Sequence, residues 1–306
     1  MQGTIEWLKE RQKGIGGSDV AAILGLNEFS TALDVYEQKI AENPVEIEEN
    51  PKMKAGKRME ATIAKWYAEE NNRKVQRRND IIWHKTIPYL FVSLDRMIVM
   101  QDEMTPGILE CKNTTSLYFK SWDPLSDYVM MQVQHQLDVT GWAWAVVAVL
   151  VDGWDFRLIP VEPDPKLIAE KNKILANFWT NNVLKRIPPE PMSESDIKKL
   201  YPEIKQGEVL EVTEDAYRLS RYLLDVKAVI KESEEKEKKL STALKLILLD
   251  KEIATYQNKV IFTWKQQKSH EGIDKSALEN LYPDAYEACK ITVPGNRLLL
   301  PKGGKM

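Results

Sequence analysis

The stretch GILECKNTTS, Gly107–Ser116, carries a glutamate and a lysine two residues apart, Glu110 and Lys112, behind a short apolar lead. Residues two apart on a strand project to the same face, so a strand here presents both side chains together. Upstream, the apolar run YLFVSLDRMIV, Tyr89–Val99, holds Asp95, with Ser93 on its face and Phe91, Val92 and Leu94 as apolar surroundings. A hairpin through MQDEMTPG would bring Asp95, Glu110 and Lys112 face to face across adjacent strands. A pair of carboxylates suits a hard, oxygen-seeking cation such as Mg²⁺, and the backbone carbonyl of Cys111, between Glu110 and Lys112, is a candidate further ligand. Beside a phosphodiester such a cation polarises the phosphoryl oxygen and lowers the pKa of a bound water. The lysine then orients that water or holds the charge that builds on the phosphoryl oxygens. Taken alone, the triplet fits a cross-strand ion pair on an exposed sheet face equally well.

The totals allow a large folded core. The chain has 306 residues, 43% of them hydrophobic, and a net charge of −3. That is room for one large domain, or one domain with an appendage. The opening MQGTIEWLKERQKG has charges where a secretion signal needs an apolar stretch, and no run reaches the roughly 18 apolar residues of a membrane span. Cys111 and Cys289 form no metal-type spacing. The expectation is a soluble, reduced, cytoplasmic protein without a membrane partner. Charge is uneven: between Lys52 and Lys85 there are ten Lys/Arg against four Asp/Glu. Local potential governs contact and steering, so an acidic protein can still carry a basic surface.

Along the chain, GGSDVAAILG reads as a short helix started by Ser18 or Asp19 and ended by Gly25. STALDVYEQKI is a second, with Thr31 and Asp34 in capping-box spacing. NPVEIEENP is a polar loop. KAGKRMEATIAKWYAEENN puts Met59, Ile63, Trp66 and Tyr67 on one helical face. Strand-like runs follow at Val75–Trp83, Tyr89–Met100 and Gly107–Asn113. PLSDYVMMQVQHQLDVTG is helical, AWAVVAVLV and DFRLIPV are strands about Asp152-Gly153, and PKLIAEKNKILANFWTNNVL is a helix. This order predicts a mixed α/β (α+β) core with a central mixed sheet flanked by helices. RIPPEPMSESD marks a boundary. Beyond it, Asp215–Thr255 reads as a long helix or helical hairpin, with NKVIFTWKQQ and NRLLLPK as short strands. The domains expected are a core over 1–205 and a helical and short-strand appendage over 206–306. His84, His135 and His270 lack ligand spacing and read as structural. Trp142, Trp144 and Trp154 read as packing residues.

The stretches RQKGIGGSDVAAILGLNEFSTALDVYEQKI, AGKRMEATIAKWY, FVSLDRMI, GILECKNTT and YVMMQVQHQLDVTGWAWAVVAVLVDG, in this order, resemble the phage-type YqaJ recombinase nucleases, relatives of the lambda exonuclease. The likeness covers residues 7–205 well. It extends more loosely through PPEPMSESDIKKLYP, NKVIFTWKQQ and GIDKSALENLYPDAYEACK. It implies the restriction-endonuclease-like PD-(D/E)xK core. Asp95 and Glu110 become the metal carboxylates and Lys112 the catalytic lysine. Glu60 matches an additional acidic residue near the metals, and Gln132 an active-site glutamine. Arg11 and Ser18 match residues that hold a terminal 5′-phosphate, and Ser93 is expected to join them. The family's proline beside the first aspartate is missing from FVSLDR.

Each assignment has a physical basis. Arginine stays charged and grips phosphate oxygens bidentately. A hydroxyl and backbone N–H groups at a helix start make an anion site. The resemblance implies a Mg²⁺-dependent deoxyribonuclease with two ions, Mn²⁺ substituting. It would be a 5′-to-3′ exonuclease acting on double-stranded DNA ends. Its single strands would pass to an annealing protein, and the family relative's ring trimer implies a homo-oligomer. An endonuclease or distributive nuclease on branched DNA would use the same residues. A non-catalytic DNA-binding adaptor would keep the fold without cleavage.

Overall fold

A computed structural model describes residues 4–44, 50–100, 105–122, 125–203, 207–292, 299 and 301. It divides into two compact units, Met1–Ile204 and Lys205–Met306. In the first unit, α1 (Ile5–Gln12), α2 (Gly17–Ile23), α3 (Ala32–Ile40) and α4 (Pro51–Glu70) precede the strands. Then come β1 (Val75–Arg77), β2 (Ile82–Trp83), β3 (Phe91–Val92), β4 (Arg96–Ile98) and β5 (Gly107–Thr114). α5 (Ser116–Phe119) and α6 (Asp127–Thr140) lead to β6 (Ala145–Val151), β7 (Asp155–Val161) and α7 (Pro165–Asn177). A π-helical turn at Phe178–Val183 and α8 (Glu194–Leu200) finish the unit.

A five-stranded mixed sheet runs β1-β4-β5-β6-β7, parallel only between β5 and β6. Its two faces follow the strand period of two. Ile108 of β5 and Val147, Val149 and Val151 of β6 pack with Val129, Val133 and Leu137 of α6. Leu109, Ala148 and Leu150 face the other way, onto Ile63, Ala64 and Tyr67 of α4. Each buried Val, Leu or Ile side chain among them contributes about 1.5–3 kcal/mol. The sheet is thus a slab between α4 and α6, and β5, buried on both sides, lies between β4 and β6.

The mixed α/β core with helices on both faces is as expected. Two long strand-like runs are corrected. Tyr89–Met100 divides into β3, which pairs with β2, and β4, which joins the large sheet. The break falls at Ser93–Asp95, where the Asp95 side chain accepts the Cys111 amide hydrogen at 3.0 Å. Val75–Trp83 divides likewise into β1 and β2, with Arg78 turned back onto Asp80 at 2.6 Å between them. β4 and β5 are antiparallel neighbours, although residues 101–104 of the connecting segment lie outside the described residues. So do residues 45–49 of the polar loop and most of NRLLLPK. Trp154 is corrected too: it sits in the β6–β7 turn, 73% exposed, rather than in the core.

Gly107 opens β5 because no side chain fits there. A Cβ would lie 2.5 Å from the Trp144 ring, and that ring is pinned by a hydrogen bond from its Nε1 to the Thr105 carbonyl at 3.0 Å. Gly107→Ala is expected to destabilise the protein by roughly 1–3 kcal/mol through overpacking. A fall in the urea midpoint at unchanged slope checks it, and an unaltered midpoint refutes it.

The second unit contains α9 (Glu214–Leu248), one helix of 35 residues with no hairpin. Leu249, at φ 51° and ψ −102°, leaves the helical conformation and ends it. β8 (Ile253–Tyr256) follows where the helical pattern was expected to continue to Thr255. It pairs with β9 (Lys259–Thr263), and α10 (Lys275–Leu281) and α11 (Pro283–Ala288) follow. The β-branched Ile253 and Thr255 favour the extended chain.

Candidate active site

Glu110 and Lys112 leave β5 on the α6 side, as the strand period requires. Lys112 Nζ lies 2.8 Å from Glu110 Oε1. α6 supplies two glutamines one turn apart. Gln132 Nε2 donates to Glu110 Oε1 at 2.8 Å, and its Oε1 accepts from Lys112 Nζ at 2.9 Å. Gln136 Nε2 donates to Glu110 Oε2 at 2.7 Å. Glu110 is 2% exposed, so its charge rests on these three donors rather than on water. The role of Gln136 was not read from the sequence. Its i, i+4 spacing from Gln132 was the available signal.

Asp95 stands just before β4, across from Glu110. Burial, then the Glu110 and Glu60 charges, push its carboxyl up to about 8, although Lys112 opposes the shift. Burial also works against the Lys112 ammonium. Glu110, with Tyr128 and Asp95, outweighs it and holds Lys112 above the ordinary lysine value. Lys112 also lies 5.7 Å from the Tyr128 ring centroid. Glu60 projects from α4 and forms an ion pair with Arg96, whose Nη1 also donates to the Asp95 carbonyl at 2.6 Å. Arg96 thus ties Glu60 to the Asp95 backbone. It follows Asp95 directly in the sequence but gave no signal of its own.

Among the described residues no three side chains of His, Cys, Asp and Glu form a ready ligand set. The donors nevertheless suit a hard divalent cation. Asp95 and Glu110 supply carboxylates and Cys111 a carbonyl. The crowding of negative charge that raises Asp95 is what a cation would relieve.

Arg11 and Ser18, paired by the resemblance, come together, with Arg11 Nη2 donating to Ser18 Oγ at 3.0 Å. Ser18 is not the helix cap, a correction. The N-cap is Gly16, whose N–H donates to Asp19 Oδ2 at 2.9 Å. Asp19 is itself held by Lys39 Nζ at 2.7 Å and by Arg11 Nη2 at 3.9 Å. Burial works against its charge, yet Lys39 and Arg11 keep its pKa below the usual value. The carboxylate at the start of α2 offsets the dipole there, so an anion at this place would have to be met by the Arg11 guanidinium and the Ser18 hydroxyl rather than by the helix end. The Arg11 guanidinium lies 4.7 Å from the Trp7 ring centroid. Among the described residues the buried Ser93 hydroxyl has no hydrogen-bond partner, so no hydrogen bond links it to Arg11 or Ser18. The two clusters adjoin, because a Cβ on Gly17 would lie 3.5 Å from Gln132 Cγ and 3.8 Å from Gln136 Cγ.

Comparison with known proteins follows the same lines. Residues 6–143 match the model of the YqaJ-like viral recombinase domain. The uncharacterized protein YqaJ of Bacillus subtilis (strain 168) is 33% identical over 297 residues, covering 93% of this chain and 90% of that protein. The alkaline exonuclease LHK-Exo of Laribacter hongkongensis, solved in complex with dAMP, is similar at a TM-score of 0.50 and 19% identity. That likeness covers 64% of this chain and 97% of the other, and at this identity it is a likeness of fold. Identity sustained across nearly the whole of a YqaJ protein, together with the matched domain, places the chain in the YqaJ-like viral recombinase family.

Proposed function

We propose that this protein is a metal-dependent DNA nuclease that degrades linear duplex DNA from its 5′ ends. The observation that carries the reading is the Asp95–Glu110–Lys112 cluster, with the Arg11–Ser18 pair one helix packing away. LHK-Exo, a protein of the same fold, is called an exonuclease and was solved with a nucleotide. Asp95, Glu110 and the Cys111 carbonyl would hold Mg²⁺ in one or two sites, with Mn²⁺ as a substitute. A bound cation of this kind polarises the phosphoryl oxygen and acidifies a water. Lys112 is protonated, so it serves as a donor, orienting the attacking water or stabilising the phosphoryl oxygens, and not as the base. Gln132 and Gln136 fix the Glu110 carboxylate, and Glu60 with Arg96 fixes the Asp95 backbone. Arg11 and Ser18 hold the terminal 5′-phosphate and set the polarity. The exposed strand passes to an annealing protein, and a closed ring of three copies keeps the enzyme on its substrate.

The test is digestion of 5′-phosphorylated linear duplex beside closed circular DNA, with Mg²⁺ or EDTA. Only the linear DNA should disappear, and only with Mg²⁺. Lys112→Ala should slow the loss by about 10²–10³, the size of one lost transition-state donor. Cutting of the circle would replace this reading with an endonuclease. DNA binding without cutting of either substrate would leave a non-catalytic adaptor.

A further inference from the structure

The first two turns of α4, PKMKAGKR, carry four cations and no carboxylate. Lys52, Lys54 and Arg58 are exposed there. Beside them lies α5, which follows β5 within two residues of its end. Leu117 is 77% exposed and Tyr118 50% exposed. Lys52 Nζ sits 5.0 Å from the Tyr118 ring centroid and 3.5 Å from its hydroxyl. The ring is therefore held from one side by a cation while half of its surface meets solvent. Lys120 adds another charge in the same short segment.

Both elements are tied to the candidate active site. Glu60 lies eight residues beyond Lys52 on α4, about 12 Å at 1.5 Å per residue. Lys112 lies six residues before Tyr118. At 3.4 Å per step along a strand, about 12 Å is three or four nucleotides. An aromatic ring with neighbouring cations is the chemistry of a single-strand contact. The ring stacks on a base of any identity, and the cations follow the phosphates. A base can reach such a ring only after leaving its pair.

We propose that α5 and the start of α4 form a contact for unpaired DNA. In it Tyr118 stacks on a base three or four nucleotides from the scissile phosphate, and Lys52 sets the ring and meets the backbone. The inference rests on the nuclease reading for the identity of the substrate. Its charge complementarity favours nucleic acid over a protein partner, because no carboxylate interrupts the cations of PKMKAGKR.

The experiment uses the full chain and duplex DNA carrying 2-aminopurine at the third or fourth nucleotide from the 5′ end. Binding is measured in EDTA by fluorescence, and cleavage of the same DNA in Mg²⁺. Wild type and Tyr118→Phe should change the fluorescence of the probe as it stacks. Tyr118→Ala should abolish that change and weaken binding roughly 5- to 150-fold, the range of one lost base–aromatic stack. Circular dichroism should be the same for all three. Equal affinity and equal fluorescence for Tyr118→Ala and wild type would overturn the proposal. Binding without cleavage, still dependent on Tyr118, would sink the nuclease reading and leave this contact standing. Failure of wild type to bind DNA would overturn both.

Discussion

Asp95→Asn is expected to lower the rate of DNA hydrolysis by about 10⁴, which corresponds to losing several kcal/mol of metal-borne transition-state stabilisation. The same substitution is expected to make the metal-free protein more stable at alkaline pH. The sign follows from the site. Asp95 shares its surroundings with Glu110 and Glu60, and burial and these charges raise its pKa from 3.8 to about 8. Between those two values the folded protein binds more protons than the unfolded chain, so stability falls as pH rises. Asparagine removes this penalty while its amide oxygen can still accept from Cys111 N–H. At pH 8.5 in EDTA the variant should therefore gain on the order of 2 kcal/mol, a rise of about 4–8 °C in melting temperature. The gain should shrink towards zero as pH falls to about 4.

Mg²⁺ reverses the comparison. A ligand bound only by the folded state stabilises it by mass action, about 2.7 kcal/mol at a hundredfold excess over Kd. Wild type should gain that, more strongly at pH 8 than at pH 6 because binding must displace the Asp95 proton. Asp95→Asn should gain little. Melting curves at four pH values, with EDTA or Mg²⁺, decide the matter. A variant that melts below wild type at pH 8.5 without metal would show that Asp95 carries no charge penalty, and one that cleaves DNA at the wild-type rate would show that it is not a metal ligand in the reaction.

Much of this site was legible because local periodicity exposes it. Glu110 and Lys112 needed only the strand period of two, and β5 is a strand over its whole predicted length. The capping box at Thr31 and Asp34 was equally local, and both hydrogen bonds form. What could not be read was set by contacts distant in sequence. Asp95 sits just before the start of β4 because its side chain, not its backbone, meets Cys111. The Thr31 hydroxyl also reaches Asp196, 165 residues away, at 2.8 Å. Ser18 looked like a cap by composition. Asp19 in the third helical position instead reaches back to Gly16, where a Cβ would lie 2.8 Å from the Phe91 ring. Gln136 drew no role of its own from the sequence, yet α6 packs so closely on β5 that it is 1% exposed.

The same packing hides a second charged group, and removing its partner is expected to cost more stability than any surface change. Lys171 of α7 has a fully buried side chain, and its Nζ lies 3.0 Å from Asp138 Oδ2 on α6. Asn172 donates to the same oxygen at 2.9 Å, and His84 Nε2 lies 3.6 Å from Oδ1. His135 completes the cluster, its Nδ1 3.1 Å from Lys171 Nζ and its Nε2 3.0 Å from the Phe91 carbonyl. Burial, and then Lys171, lower the His135 pKa to about 3, so this imidazole is neutral near pH 7. Asp138 is therefore the anion paired with the buried ammonium. Asp138→Ala leaves that ammonium beside a neutral ring, and breaking a buried pair in this way costs about 3–5 kcal/mol. At roughly 2–4 °C per kcal/mol the melting temperature should fall by about 6–20 °C. If charge pairing is the cause, Asp138→Leu combined with Lys171→Met should recover most of the loss, because no charge is then left alone. A double variant as unstable as Asp138→Ala would assign the loss to the Asn172 hydrogen bond and the His84 contact instead, and the cluster to polar packing rather than to charge.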